Sequence, residues 1–241
     1  MKILYLMPNN MANTPEGKHT LQEREAYLLR WAAPGTEIRP FDVPGAPEAI
    51  ETTADEYAAV PPTLERVSEL TSKEPWEAII LGCFSDLGVD VLRESLSIPI
   101  VGPGEASLLL AASLSRRFSI LVSSEAAIPG TDRQVRLLGM EGRVAGIRSL
   151  EMPTLEIRKD PAGCIRAVLA AGRESMSQDR AEALILGCMS MGFLDVAEAV
   201  APELGIPVLN PVVASLKFAE LLVGAKLTHF RNVPKAATSP S

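Results

Sequence analysis

The tripeptide Leu-Gly-Cys occurs twice, at Leu81-Gly82-Cys83 and Leu186-Gly187-Cys188, and the surroundings of the two copies match. Each copy ends a short apolar run. Each is followed by a stretch with helical character and then by an Ile-Pro-aliphatic segment, Ile98-Pro99-Ile100 in the first half and Ile206-Pro207-Val208 in the second. From Cys83 to Cys188 the spacing is 105 residues. That is too far for a local motif and natural for equivalent positions in two related halves. The chain therefore reads as two lobes, each bringing one thiol to a shared cleft.

Strand and helix patterns alternate along the whole chain, which predicts an α/β fold with mainly parallel sheets. Expected strands are 3–7, 36–41, 78–82, 98–101, 118–122, 144–147, 183–186 and 206–209. The run at 78–82 is apolar without alternation, as suits a parallel strand covered on both faces. Helices are predicted at 20–31, 64–73, 89–95, 105–114, 131–138, 161–176, 194–200 and 212–223. The four prolines between 43 and 62 predict a long connection with at most a short helix at 54–59, and Gly102-Pro103-Gly104 predicts a turn. The first loop is expected to run through Asn13, Thr14, Pro15 and Gly17, and the tail from Lys226 to be polar and frayed. The echo places the lobe boundaries at 1–103 plus 211–241 for lobe 1, carrying Cys83, and 104–210 for lobe 2, carrying Cys188. The last helix returns to pack on lobe 1.

Composition narrows the function. With 241 residues, 47% hydrophobic and 22% charged, the chain can bury a large core and is too apolar for disorder. A net charge of −7 without a Lys/Arg cluster argues against nucleic acid as a partner. No apolar run approaches the roughly 20 residues that span a bilayer, and the opening 1–8 is too short for a signal peptide and fits a first strand. Three cysteines do not make a disulfide framework, which points to a reduced, cytoplasmic enzyme. The two histidines, His19 and His229, lack partners at ligand spacing, so no metal is expected; His229, beside the polar tail, is expected to be solvated. No Walker loop or dinucleotide fingerprint is present, so no organic cofactor is expected either.

Both cysteines lie where a buried strand gives way to a helix, the position at which open parallel sheets bind ligands. Helix N–H groups there favour a thiolate, and the flanking Gly82 and Gly187 let backbone approach a ligand. Ser85 and Ser190, each two residues past its cysteine, offer donors to a carbonyl. Two thiols on opposite faces of one carbon have a specific use: one removes a proton and the other returns one from the far side, with the carbanion's charge held on an adjacent carbonyl. Cys164 has no such echo and reads as packing.

The segments Leu81 to Gly88, Gly102 to Ala106 and Leu186 to Met191 together resemble the hydantoin/allantoin racemase branch of the aspartate/glutamate racemase superfamily. The opening Met7-Pro8-Asn9-Asn10 is similar to that branch's Asn-Pro-Asn-Ser/Thr loop. The resemblance implies two Rossmann-like lobes related by pseudo-twofold symmetry, cofactor-independent proton transfer at a carbon alpha to a carbonyl, a small-molecule substrate, and a homo-oligomer, dimer or larger. It assigns the acid/base pair to Cys83 and Cys188 and substrate contacts to Asn9, Phe84, Ser85, Met189 and Ser190. Three departures fall near the expected cleft: Met7 for a first asparagine, Ser190 for glycine, and Leu209-Asn210-Pro211 for aliphatic-Asp-Gly. The expected substrate is a 5-substituted hydantoin or related cyclic ureide. Aspartate/glutamate racemisation, cis–trans isomerisation of an unsaturated diacid, and a two-lobed binding protein without turnover stay open. The scarcity of basic residues near the motifs weighs against a diacid, and the presence of Cys83 against an arylmalonate decarboxylase.

Overall fold

The structure is a computed structural model that describes residues 1–11 and 15–230. Asn13 and Thr14 of the first loop, and the tail from 231 onward, lie outside the described residues. The first half runs β1 (Lys2–Leu6), α1 (Pro15–Trp31), β2 (Glu37–Phe41), α2 (Thr53–Lys73), β3 (Ala78–Leu81), α3 (Val89–Ser95) and β4 (Ile100–Val101). The second half runs α4 (Pro103–Leu114), β5 (Phe118–Val122), α5 (Ile128–Leu137), β6 (Val144–Ser149), α6 (Thr154–Lys159), α7 (Pro161–Gln178), β7 (Ala183–Leu186), α8 (Met189–Phe193), α9 (Val196–Leu204) and β8 (Val208–Leu209). Helix α10 (Pro211–Gly224) closes the described chain.

Two separate four-stranded sheets form, ordered β2-β1-β3-β4 and β6-β5-β7-β8, with every pairing parallel. The second order is the first shifted by four strands, so the echo in the sequence is a repeat of topology. The strands that carry the cysteines are buried along their whole length. The reason is two-sided cover. In β3, Ala78 and Ile80 pack with Leu28 of α1 and Leu216 of α10, whereas Ile79 and Leu81 pack with Val67 of α2 and Leu92 of α3. In β7, Leu184 and Leu186 meet Val168 of α7 and Val200 of α9, and Ala183 and Ile185 meet Leu108 of α4 and Val135 of α5. This is why the runs show no alternation.

The glycines of the two tripeptides continue the ladder by one bond each. Gly82 N–H donates to Leu6 O and Gly187 N–H to Leu121 O, both at 2.7 Å. A Cβ at Gly82 would lie 2.6 Å from Tyr5 Cε1, and one at Gly187 2.9 Å from Val122 Cγ1. Glycine is thus needed for the neighbouring strand, and both glycines also line the cleft described below.

Other elements also differ from expectation. Helix α1 begins at Pro15, not Thr20. Helix α2 is continuous through Pro61-Pro62. A capping box starts it, with Asp55 N–H on Thr52 Oγ1 at 3.2 Å and Thr52 N–H on Asp55 Oδ2 at 2.9 Å. Buried Ala59, Thr63, Val67 and Leu70 then keep helical spacing across both prolines. The prolines are not on that stripe, so the carbonyls deprived of a donor face the wetter side of the helix. Gly102-Pro103-Gly104 is no turn: Gly102 caps α4 and Pro103 is its first residue, a position where a missing N–H costs nothing. Helices α6 and α8 were not expected. Among the described residues no helix is long and apolar enough to cross a membrane.

Gly82→Ala is expected to lower stability by about 1–3 kcal/mol, since the added methyl must displace the Tyr5 ring. Gly142→Ala, where nothing lies within 4 Å of the new carbon, should stay within about 0.5 kcal/mol of the parent. Paired chemical denaturation curves decide it, and equal midpoints for the two variants would contradict the close approach.

Candidate active site

A cleft of about 430 Å³ opens at the C-terminal ends of the strands of both sheets. Its walls are the segment after β1, the turn after β3, Ser123 after β5 and the β7–α8 junction. Cys83, Phe84 and Ser85 line it from one lobe, and Cys188, Met189 and Ser190 from the other, with Asn9 at the loop after β1. All seven residues predicted for the site are therefore brought to one cleft. Among the described residues no three of His, Cys, Asp or Glu converge as a metal would need.

The two thiols sit in unequal surroundings. Cys188 is the N-cap of α8. Thr154 Oγ1 lies 3.8 Å from its sulfur, and the N–H groups of Ser190 and Met191 and the Ser190 hydroxyl favour its thiolate. Cys83 has no helix behind it. Asp86 bends the chain in the left-handed region at φ 54°, and α3 starts only at Val89. The Ser85 N–H favours the Cys83 thiolate, while the carboxylates of Glu56 and Asp86 oppose ionisation. Burial dominates at both positions. It pushes Cys83 up to about 12 and Cys188 up as well, with more hydrogen bonds pulling Cys188 back. The lowered thiol pKa expected from the sequence is thus overturned: dense protein around each sulfur outweighs the N–H donors. Cys83 still keeps some surface open to the cleft.

The Cys83 turn is clamped from the second lobe. Asp86 accepts from Gly104 N–H at 2.9 Å and Glu105 N–H at 2.7 Å, at the start of α4, and from Gln134 Nε2 at 2.6 Å. Gln134 Nε2 also donates to Phe84 O at 2.9 Å. Burial pushes the Asp86 carboxyl up to about 7, and these N–H donors oppose the rise. Asn9 spends its amide on Glu48 O at 3.0 Å, tying two loops together. The neighbouring Asn10, also at the cleft, keeps a buried Oδ1 without a hydrogen-bond partner among the described residues.

Several lining residues escaped the sequence reading. Thr154 and Arg158 come from α6, and Glu56 from α2, where it pairs with Arg133 at 2.9 Å. Arg24 comes from α1 and lies only 8% exposed. Thr20, Arg24 and Leu28 are buried at a spacing of four, so a charge on the apolar stripe of α1 was the available signal. Two arginines in the cleft overturn the expectation of few basic residues there; both are far from the cysteines in sequence. Asn210 is not at the cleft: it caps α10 through Val212 N–H and reaches Tyr27 Oη at 2.8 Å. His229 is part-buried rather than solvated, with Nε2 accepting from Ile100 N–H at 2.9 Å, and burial lowers its pKa. His19 is exposed beside Glu23. Cys164 is fully buried in the core under β7, in keeping with packing.

The family description Asp/Glu/Hydantoin racemase matches residues 17–219. The chain belongs to this family. It is an isomerase of the racemase class. It is 32% identical over 224 residues to the hydantoin racemase of Pseudomonas sp. strain NS671, covering 92% of this chain and 86% of that protein. The hydantoin racemase of Rhizobium meliloti is 30% identical over 225 residues, covering 93% and 90%. The crystal structure of an allantoin racemase from Pseudomonas fluorescens superposes with a TM-score of 0.87 at 27% identity, covering 99% of this chain and all of that one.

Both thiols are held in the protonated form by burial, and that is measurable. Alkylation by iodoacetamide, followed by peptide mass spectrometry across pH, is expected to reach half its limiting rate above the ordinary thiol range at both Cys83 and Cys188. Ser190→Gly, which removes a hydroxyl that favours the Cys188 thiolate, should move the Cys188 profile to higher pH and leave that of Cys83 in place. Half-limiting rates at or below the ordinary thiol range for both cysteines would refute this account of the site.

Proposed function

We propose that this protein racemises a 5-substituted hydantoin or a related cyclic ureide by proton transfer between Cys83, the substrate carbon and Cys188. The observation that carries the reading is the placement of the two thiols on one cleft from opposite lobes. In one direction the Cys188 thiolate takes the proton from the carbon next to the ring carbonyl. The C–H electron pair moves onto that carbonyl oxygen. The Cys83 thiol then donates its proton to the opposite face, leaving Cys188 protonated and Cys83 as thiolate. The mirror substrate runs the same steps backward, so no other reagent is consumed.

Local groups support each role. Cys188 suits the thiolate that begins the cycle, because more donors face its sulfur. Cys83 is held as a thiol by burial and by the carboxylates of Glu56 and Asp86. Asn10 Oδ1, a buried acceptor without a partner among the described residues, suits a ring N–H. The relatives named hydantoin racemase and allantoin racemase point to the same substrate class.

The test is to incubate single enantiomers of 5-substituted hydantoins in deuterated water. Optical rotation should decay while deuterium enters the carbon next to the carbonyl. Cys83→Ser and Cys188→Ser should each cut racemisation by about a hundredfold or more. Since both thiol pKa values are raised, the thiolate fraction grows as pH rises, so kcat/KM should climb from neutral pH into the alkaline range. Retention of rotation and protium across a panel of hydantoins would remove the proposal.

A further inference from the structure

Arg24 is a buried cation of the cleft that makes no salt bridge among the described residues. It is 8% exposed and lines the cavity. Its Nη1 lies on the thioether of Met7 at 2.6 Å and of Met11 at 3.5 Å. Its guanidinium carbon sits 4.7 Å from the centre of the Phe193 ring. Sulfur is a weak acceptor and an aromatic face carries no net charge, so neither neutralises the cation. Burial lowers its pKa to about 10, which leaves it charged at neutral pH. A buried cation without a carboxylate partner is costly unless something else meets it.

The acidic residues of the cavity do not fill that place. Glu56 pairs with Arg133, and Glu51 accepts the Thr154 N–H at 2.5 Å. Glu16 and Glu48 are exposed. A second guanidinium stands on the same cleft: Arg158 of α6, whose Nη2 donates to Thr20 Oγ1 at 2.5 Å and which bears electrostatically on Arg24. It too makes no ion pair among the described residues. Both lobes thus send a cation to the cavity that holds the thiols.

We propose that the substrate carries a carboxylate in addition to the carbonyl-activated carbon, and that Arg24 holds this carboxylate with Arg158 beside it. Resting on the ureide reading above, the class is a hydantoin whose 5-substituent ends in a carboxylate. Arg24 offers a planar fork that matches a carboxylate, and the apolar sulfurs and ring around it keep water from competing. The Met7 side chain supports the fork without cancelling its charge.

Two measurements test it. In the first, kcat/KM is compared for hydantoin-5-acetate and hydantoin-5-propionate against their primary amides, which match them in size. The carboxylates should be preferred by about tenfold or more, as expected for a lost charge-assisted contact. Arg24→Gln should bring the ratio near one, Arg158→Gln should reduce it, and Arg24→Lys should restore part of it. In the second, glutarate is tested for protection of Cys188 against iodoacetamide, with glutaramide as control. Protection by glutarate that disappears in Arg24→Gln supports the anion site without requiring turnover. If no hydantoin exchanges its proton but glutarate protects, the ureide reading fails and the carboxylate site stands. Equal kcat/KM for carboxylate and amide, together with no protection, overturns the carboxylate site and leaves the ureide reading intact. A loss in Arg24→Gln that is equal for both substrates, with a shifted Cys188 alkylation profile, also overturns it and assigns Arg24 to the thiol.

Discussion

The parallel ladder between a central strand and the strand that ends in Leu-Gly-Cys governs the rest of this molecule. Leu6 pairs with Leu81 and Leu121 with Leu186, and one further bond fixes Gly82 and Gly187. A cysteine one residue later has left the sheet but cannot wander, because its glycine is pinned and both faces of the strand are packed. The same constraint in each lobe sets two thiols at equivalent edges. Two thiols on one cleft, one from each lobe, then follow from sheet geometry. A slip of register by one residue would turn the cysteines away from each other.

Around that frame the two halves are not equal, and the inequality is electrostatic. A helix start stands behind Cys188, while a tight turn stands behind Cys83, with two carboxylates near its sulfur. A symmetric scaffold thus surrounds its two thiols with different polar groups. The positive charge in the cleft belongs to side chains outside both turns, Arg24 on α1 and Arg158 on α6.

The sheets and the thiols were legible from the amino-acid sequence because unbroken apolar runs mark doubly covered strands and because the tripeptide recurs with its context. What escaped was set by tertiary contacts. Helix α2 survives Pro61-Pro62 because a buried stripe continues on either side of them. Gly102-Pro103 looks like a turn but starts a helix, since proline needs no N–H donor there. The short helices α6 and α8 owe their place to packing under and beside Cys188, for which no periodic signal of that length exists. Arg24 meets Met7 and Phe193 from distant parts of the chain, and that meeting alone marks it as unusual. The direction of the thiol shifts was misjudged for a related reason: the donors could be guessed locally, but the density of protein around each sulfur could not.

Helix α10 has a consequence for how the chain matures. It begins directly after the second sheet, yet Val212, Leu216 and Ala219 fill the core of the first, against Ile3, Ile80 and Leu28. On a ribosome the first sheet emerges before the second, and the last wall of its core emerges after the second. The first half therefore waits with one face uncovered while the second half forms. The core of the first lobe is completed only when α10 arrives, so the two halves, though repeats in shape, are not independent in assembly.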